Sequence, residues 1–259
     1  MFIYNYHTHT YRCGHASGSD EEYVLAAIEA GFKILGFSDH GPYSEYYHPN
    51  CHMRWEQIDD YISSITSLKE KYKDQIEIKL GFESEYYPFC MDDYKYLRSK
   101  SEYLLLGQHF GHPSGAIANY FRENTDEQIK GYCDAIVEGL HTGMYSYLCH
   151  PDVFMSGQPD FTEVCEETAH RIAQACVETG TPLEINARGP LKGKRQYLKG
   201  EFFSYPHKGF WKIVSEYPVK VVLGIDAHAP DDLKAENFVE DAFNEVADLN
   251  LNFITEPFI

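Results

Sequence analysis

His7-Thr8-His9, followed by His15 beyond the turn-like stretch 10–14, places three imidazoles at the end of the first β-like run. On an extended chain residues i and i+2 share a face, so His7 and His9 point the same way, and a third imidazole can fold back past Gly14. Neutral imidazole is a ligand for transition metals, and three together are costly to bury for packing alone. The pattern recurs along the chain. His40 follows Ser38-Asp39, Glu83 follows Gly81-Phe82, and His109 closes Leu106-Gly107-Gln108-His109. His150 lies in Cys149-His150-Pro151-Asp152, and Asp226 and His228 follow Gly224-Ile225. A lone His-x-His is weak evidence, and a single His or Asp after a strand is more often a cap or a loop residue. Seven histidines, one Glu and one Asp at successive strand ends are a different matter and point to a metal centre. The other histidines (His48, His52, His112, His141, His170 and His207) fit no such pattern, and capping or exposed roles suit those on helices.

The elements that must carry these residues alternate. Short β-type runs at 2–6, 33–38, 76–82, 103–106, 145–149, 183–186 and 220–225 are separated by helical stretches. Ser19 with Glu22 has the pattern of a capping box and opens a helix over 20–30, which Gly31 closes. Ile58, Ile62, Ile65, Leu68 and Tyr72 mark one face of a long helix. Further helices span 127–140 and 163–178, and 253–255 reads as a strand or a tail. Such alternation implies a parallel sheet, closed as a barrel or open and doubly wound, and the pattern does not choose between them. No glycine-rich phosphate loop follows the early strands, which argues against Rossmann and P-loop folds. In a barrel all strand carboxyl ends share one face, so ligands far apart in sequence would converge there.

With 259 residues, including 21 Tyr and 16 Phe, the chain can build one large core and reads as a single domain over 1–259. A net charge of −18 repels polyanions and disfavours nucleic acid as a partner. A small anionic substrate stays compatible if cations dominate the field at the site. The seven cysteines form no Cys-x-x-Cys pair and read as reduced thiols, with Cys13 notable for lying between His9 and His15. With no signal-like segment and no membrane-length apolar run, a cytoplasmic location without membrane attachment is expected.

His7-x-His9, His15, Asp39-His40, Glu83, His109, His150 and Asp226-x-His228, in this order, resemble the ligand set of the polymerase-and-histidinol-phosphatase (PHP) family. The resemblance spans nearly the whole chain. It implies an α/β fold, a distorted TIM-like (β/α)7 barrel with its metal site at the carboxyl ends of the strands. It also implies up to three divalent transition-metal ions: zinc, manganese or iron. His7, His9 and Asp226 would hold one ion, and Glu83 would bridge it to a second bound by His109 and His150. His15, His40 and His228 would hold the third. Metals this close can share a hydroxide for in-line attack on a phosphate monoester while neutralising its charge. The segments around His7–His15, Gly107-Gln108-His109-Phe110 and Cys149-His150-Pro151-Asp152 look most like stand-alone L-histidinol-phosphate phosphatases of histidine biosynthesis. Other phosphoesterases of the family, acting on a nucleotide, a sugar phosphate or a phosphotyrosine peptide, would share this machinery. A non-catalytic metal-stabilised module is the third reading, and the intact ligand set argues against it.

Arg188, just past the strand-like 183–186, is the leading candidate to clamp phosphate, because a guanidinium is planar and bidentate. Asn186 would orient ligands or bind substrate. The segment 189–207 carries Lys192, Lys194 and Arg195 and reads as a lid or a solvated basic loop. Asp39 would either fix its neighbours or help protonate the leaving alkoxide. Glu85 would attract a substrate amino group or lie at the surface. Tyr43, Tyr46, Tyr47 and Trp55 would wall the pocket or join the core. The reading allows a homo-oligomer.

Overall fold

The computed structural model describes residues 3–259, so Phe2 of the expected first strand lies outside the described residues. Strand β1 (Tyr4–Asn5) leads through α1 (Asp20–Glu29) to β2 (Ile34–Phe37), and α2 (Ile58–Tyr72) leads to β3 (Glu77–Ser84). Helix α3 (Met91–Lys100) precedes β4 (Tyr103–Leu106), α4 (Asp126–His141) precedes β5 (Tyr147–Leu148), and α5 (Glu163–Thr179) precedes β6 (Leu183–Asn186). A hairpin of β7 (Arg195–Tyr197) and β8 (Gly200–Phe202) comes before α6 (Lys208–Val214). Strand β9 (Lys220–Gly224), α7 (Glu236–Val246) and β10 (Asn252–Phe253) follow. Among the described residues no helix is long and apolar enough to cross a membrane.

Outside the hairpin the strands pair in parallel in the order β1-β2-β3-β4-β5-β6-β9-β10. At the carboxyl ends the sheet closes on itself through a parallel bridge between Thr8 and Ala227. His9 N donates to Ala227 O at 2.8 Å, and Ala227 N donates to His7 O at 3.1 Å. At the opposite end β10 pairs with β9, and the Tyr4 hydroxyl donates to Ile254 O at 2.7 Å. The barrel therefore holds over the open sheet, and the expected seven strands gain a short eighth.

Local chemistry accounts for the element ends. Ser19 accepts from Glu22 N while Glu22 Oε2 accepts from Ser19 N at 2.6 Å, the expected capping box; such a cap contributes about 1 kcal/mol. Gly180, at φ 72°, stops α5 in the left-handed conformation that glycine adopts without strain. Two expectations change. The strand expected over 145–149 shortens to Tyr147–Leu148: the chain bends at Ser146 before it, and His150 turns to φ 31° after it. The segment 189–207 is not an unstructured loop. It forms a 3-10 turn (Gly189–Lys192) and the β7–β8 hairpin, whose Tyr197 and Phe202 rings lie 4.9 and 5.7 Å from His207.

Alternation along the strands sorts their side chains into two cores. Leu35, Phe37, Ile78, Leu80, Phe82, Leu104, Leu106, Ile185 and Leu223 face outward and pack with Ile65, Ile136 and Ile172 of the surrounding helices. Tyr4, Tyr6, Ile34, Tyr103, Leu105, Tyr147 and Val222 form the inner floor, against which Phe258 packs. Tyr103 reaches across this floor, with its hydroxyl 2.7 Å from Tyr6 O and 2.9 Å from Phe37 O. A Cβ at Gly81 would come within 2.4 Å of its ring. Burying each large side chain here contributes roughly 1.5–3 kcal/mol. Above the floor the same inward register continues into polar groups: Gly81 to Glu83, Gly107 to His109, Gly224 to Asp226 and His228.

Candidate metal centre

All nine expected ligands meet at the upper end of the barrel, and Glu83 stands in their midst. Its Oε1 lies 2.8 Å from His150 Nε2 and 3.5 Å from His109 Nε2. Its Oε2 lies 3.4 Å from both His7 Nε2 and His9 Nε2, and 3.1 Å from His40 Nδ1. Asp226 Oδ1 lies 3.5 Å from His7 Nε2 and 3.0 Å from His9 Nε2. His228 and His15 face each other through Nε2 atoms 3.0 Å apart, and His109 and His150 do so at 3.3 Å. The sets His7-His9-Asp226, His40-Glu83-His109 and His9-His40-His228 each bring their ligand atoms within 4.8 Å of one another. All but His15 are buried.

The donor set fits divalent cations. His7 Nε2, His9 Nε2, Glu83 Oε2 and Asp226 Oδ1 are buried without a hydrogen-bond partner. A buried polar atom left in that state costs about 1–3 kcal/mol. Four such atoms close together, two imidazole nitrogens and two carboxylate oxygens, have the chemistry and spacing a divalent cation could use. The electrostatics agree. Burial pulls His7 down, but Glu184, Asp226 and Glu83 lift it well above its ordinary value. His9 is likewise lifted against burial, by Asp226 and Asp39, to about 9. Glu83 and Asp226, despite burial, are held well below the usual carboxylate range by the imidazoles around them. Burial keeps His40 and His228 well below theirs.

A second layer orients these groups. Glu184 Oε1 lies 2.8 Å from His7 Nδ1, and its Oε2 accepts from His150 N at 3.0 Å. Glu85 Oε1 lies 3.1 Å from His109 Nδ1, and Asp39 Oδ1 lies 3.5 Å from His9 Nδ1. Cys149 Sγ sits 3.3 Å from Glu83 Oε1. Two glycines make room for the central carboxylates. A Cβ at Gly107 would fall 1.9 Å from Glu83 Oε1, and one at Gly224 would fall 1.8 Å from Glu184 Oε1. His150 and Asp226 both have positive φ, 31° and 56°. Such strain is typical of side chains aimed by function rather than by local preference.

The expected substrate residues sit differently from one another. Arg188 is half-buried, and its Nη1 donates to Asp226 O and Asp232 Oδ2, both at 3.3 Å, which brings the guanidinium beside the candidate ligands. Asn186 is fully buried, with Nδ2 2.9 Å from Glu184 Oε2 and 3.3 Å from Asp226 Oδ2, so its amide is engaged by carboxylates. Glu85 is not at the surface. It is buried between His109, His52 and Tyr43, whose hydroxyl donates to it at 2.7 Å. Asp39 is buried too and accepts from the Thr10 hydroxyl and from His40 N at 2.9 Å, an orienting position behind His9. Lys194 pairs with Glu245, and Arg195 donates to Ser156 O, so these two tie the hairpin to the body. Lys192 instead holds its ammonium over the rings of Phe121 and Tyr205, at 4.7 and 5.0 Å, and Phe121 stacks on His109. Tyr43 is buried, Tyr46 and Trp55 are half-buried, and Tyr47 is exposed.

Glu184 and His52 were not expected. Glu184 had a legible signal: Glu184 and Asn186 stand at i and i+2 in an otherwise apolar strand, the same spacing as His7 and His9. His52 had none, because it reaches Glu85 from a loop.

Comparison with known proteins accords with this geometry. Residues 5–188 match the PHP domain. A Deinococcus radiodurans protein named "Probable histidinol-phosphatase" is 27% identical over 262 residues, covering 96% of this chain and 94% of that one. The Bacillus subtilis histidinol-phosphatase is 26% identical over 154 residues, covering 54% of this chain and 58% of its own. The crystal structure of histidinol phosphate phosphatase from Lactococcus lactis, complexed with zinc, L-histidinol and phosphate, shares the fold at a TM-score of 0.72 and 18% identity. It covers 97% of this chain, and this chain covers 95% of it. The domain match stops before Asp226 and His228, which the Thr8–Ala227 bridge returns to the same cluster. With most of its length matched in this way, the chain belongs to the PHP-domain family.

Proposed function

We propose that the chain is a metal-dependent phosphomonoesterase that hydrolyses L-histidinol phosphate to L-histidinol and phosphate, as one PHP domain over residues 1–259. The observation that carries this reading is the convergence of the buried, unpartnered His7 Nε2, His9 Nε2, Glu83 Oε2 and Asp226 Oδ1. The similarity along 96% of the chain to the protein named "Probable histidinol-phosphatase" supports the substrate. Up to three divalent ions, zinc, manganese or iron, would be held. His7, His9 and Asp226 would take one, and His109 and His150 a second, with Glu83 between the two sets. His15, His40 and His228 take the third. Such cations supply positive charge to the phosphoryl oxygens and acidify water for attack at neutral pH.

The chain's own groups do the rest. Glu184, Glu85 and Asp39 each engage the Nδ1 side of a ligand histidine, which turns its Nε2 inward. Burial and the nearby Glu83 keep the Cys149 thiol protonated, so it is a donor beside the Glu83 carboxylate. Arg188 brings two-pronged positive charge to the rim for the phosphate dianion. Lys192 adds a second cation on the loop beside it.

The test is phosphate release by the metal-loaded protein from L-histidinol phosphate, a nucleoside monophosphate and a phosphotyrosine peptide. Release is expected to be far fastest from L-histidinol phosphate. Comparable rates on all three, or none on L-histidinol phosphate, would overturn the assignment.

A further inference from the structure

The Glu184 carboxylate is fully buried and takes three donors. His7 Nδ1 lies 2.8 Å from Oε1, while His150 N at 3.0 Å and Asn186 Nδ2 at 2.9 Å both reach Oε2. With donors at both oxygens the carboxylate acts as an acceptor, so a neutral His7 ring keeps its proton on Nδ1. That leaves a lone pair on Nε2, the atom 3.4 Å from Glu83 Oε2 and 3.5 Å from Asp226 Oδ1. The other oxygen of Glu184 holds the backbone of His150 at φ 31°, a conformation that residues with a Cβ rarely adopt. His7 and His150 approach different oxygens of Glu83, one Oε2 and the other Oε1. Gly224 clears the space in which the carboxylate sits.

We infer that Glu184 is a positioning residue that couples the two sides of the centre, setting the His7 tautomer through one oxygen and the His150 backbone through the other. The inference rests on the reading of His7 and His150 as metal ligands. Gln is nearly isosteric with Glu but carries one acceptor and one NH2 group. Two donors meet at the Oε2 position and one at Oε1, so the amide oxygen of Glu184→Gln should take the Oε2 position. Its NH2 then faces His7 Nδ1, which must accept, and the imidazole proton moves to Nε2. A protonated Nε2 has no lone pair for a metal. Glu184→Ala removes both supports at once.

The experiment pairs zinc affinity, measured by competition with a chromophoric chelator, with the ring-nitrogen NMR signals of 15N-histidine-labelled protein. The signals are read on metal-free protein at a pH above the raised His7 and His9 values, where the rings are neutral, and His7 is assigned from a His7→Asn variant. In Glu184→Gln, His7 should carry its proton on Nε2, and one zinc equivalent should bind on the order of 10–100-fold more weakly. In Glu184→Ala two equivalents should weaken, whereas Glu85→Gln, which touches His109 alone among the ligands, should weaken one. A His7 that keeps its Nδ1 proton in Glu184→Gln, or a Glu184→Ala protein that loses affinity for only one ion, would overturn the inference. If Glu184→Ala does not fold, Glu184→Asp decides. It keeps two acceptors, so an Nε2-protonated His7 there would contradict the proposed cause. A wild-type protein that takes up no zinc would sink the metal reading, and the His7 tautomer would still decide the positioning one.

Discussion

His109 Nδ1 lies 3.1 Å from Glu85 Oε1, and this contact decides which nitrogen of the ring faces Glu83 and His150. Glu85 also lies 3.0 Å from His52 Nε2 and accepts from the Tyr43 hydroxyl. Glu85→Gln is expected to weaken one metal ion by roughly 10–100-fold. Because it leaves a buried donor unmatched, it should also lower stability by about 1–3 kcal/mol. Metal content by elemental analysis and a denaturant melt read the two effects. Wild-type values for both would remove Glu85 from the support of the centre.

The space beneath Glu83 is as specific as its charge. A Cβ at Gly107 would sit 1.9 Å from Glu83 Oε1 and 3.0 Å from Cys149 Sγ. Gly107→Ala should displace the carboxylate and, like Glu83→Ala, lose more than one metal equivalent while keeping helical circular dichroism. Retention of all ions but one by Glu83→Ala would rule out the bridging role.

Metal removal should cost stability as well as activity. The unpartnered atoms of His7, His9, Glu83 and Asp226 would gain partners when cations bind. Metal at about 1,000 times its dissociation constant adds about 4 kcal/mol to the folded state. Chelation is therefore expected to lower the melting temperature by several degrees and abolish phosphate release, with both restored by zinc or manganese. A melting temperature indifferent to chelator would show that no ion contributes to the fold.

His207 sets a pH dependence outside the candidate ligand set. It caps α6, accepting from Gly209 N at 3.2 Å, and is buried against Phe161 and Tyr197. Burial pushes its pKa down to about 4. The unfolded chain, titrating near 6.5, therefore binds the proton first, and the contribution present above that pH is lost as pH falls towards 4. Asp152, pushed up to about 7 by burial, acts with the opposite sign, so the wild-type curve is a sum. His207→Asn keeps a capping acceptor without the titration. Between pH 6.5 and 4.5 it should lose about 2–3 kcal/mol less than the wild type. Parallel stability curves for the two proteins would exclude the assignment.

Arg188 and Lys192 should separate in kinetics. Arg188→Met is expected to reduce kcat/KM for L-histidinol phosphate roughly 10–100-fold, the scale of a lost charged hydrogen bond. Arg188→Lys should recover little, because the forked geometry is lost. Lys192→Met should act more weakly and chiefly on KM. Unchanged kcat/KM in Arg188→Met would exclude it from the phosphate.

The ligand types and their order along alternating strands and helices were already legible in the residues. Side-chain direction on a strand has a period of two, and that period carried His7 and His9, and Asp226 and His228, to one face each. The Ser19–Glu22 capping box was equally local. Closure was not local. It depends on Thr8 meeting Ala227, and only closure turns the face of β6 that bears Glu184 and Asn186 into an interior. The i, i+2 spacing of Glu184 and Asn186 marked a shared face, but which side of the sheet that face lies on was settled only by closure. The same dependence hid His52, the burial of Glu85 and the diverging roles of Lys192 and Lys194. The sequence by itself determined which atoms could bind metal and that they stand at strand ends, because both are properties of residue type and local geometry. Only the tertiary structure decided which nitrogen of each ring points inward, since that choice is made by partners as distant as Glu184 is from His7, 177 positions along the chain.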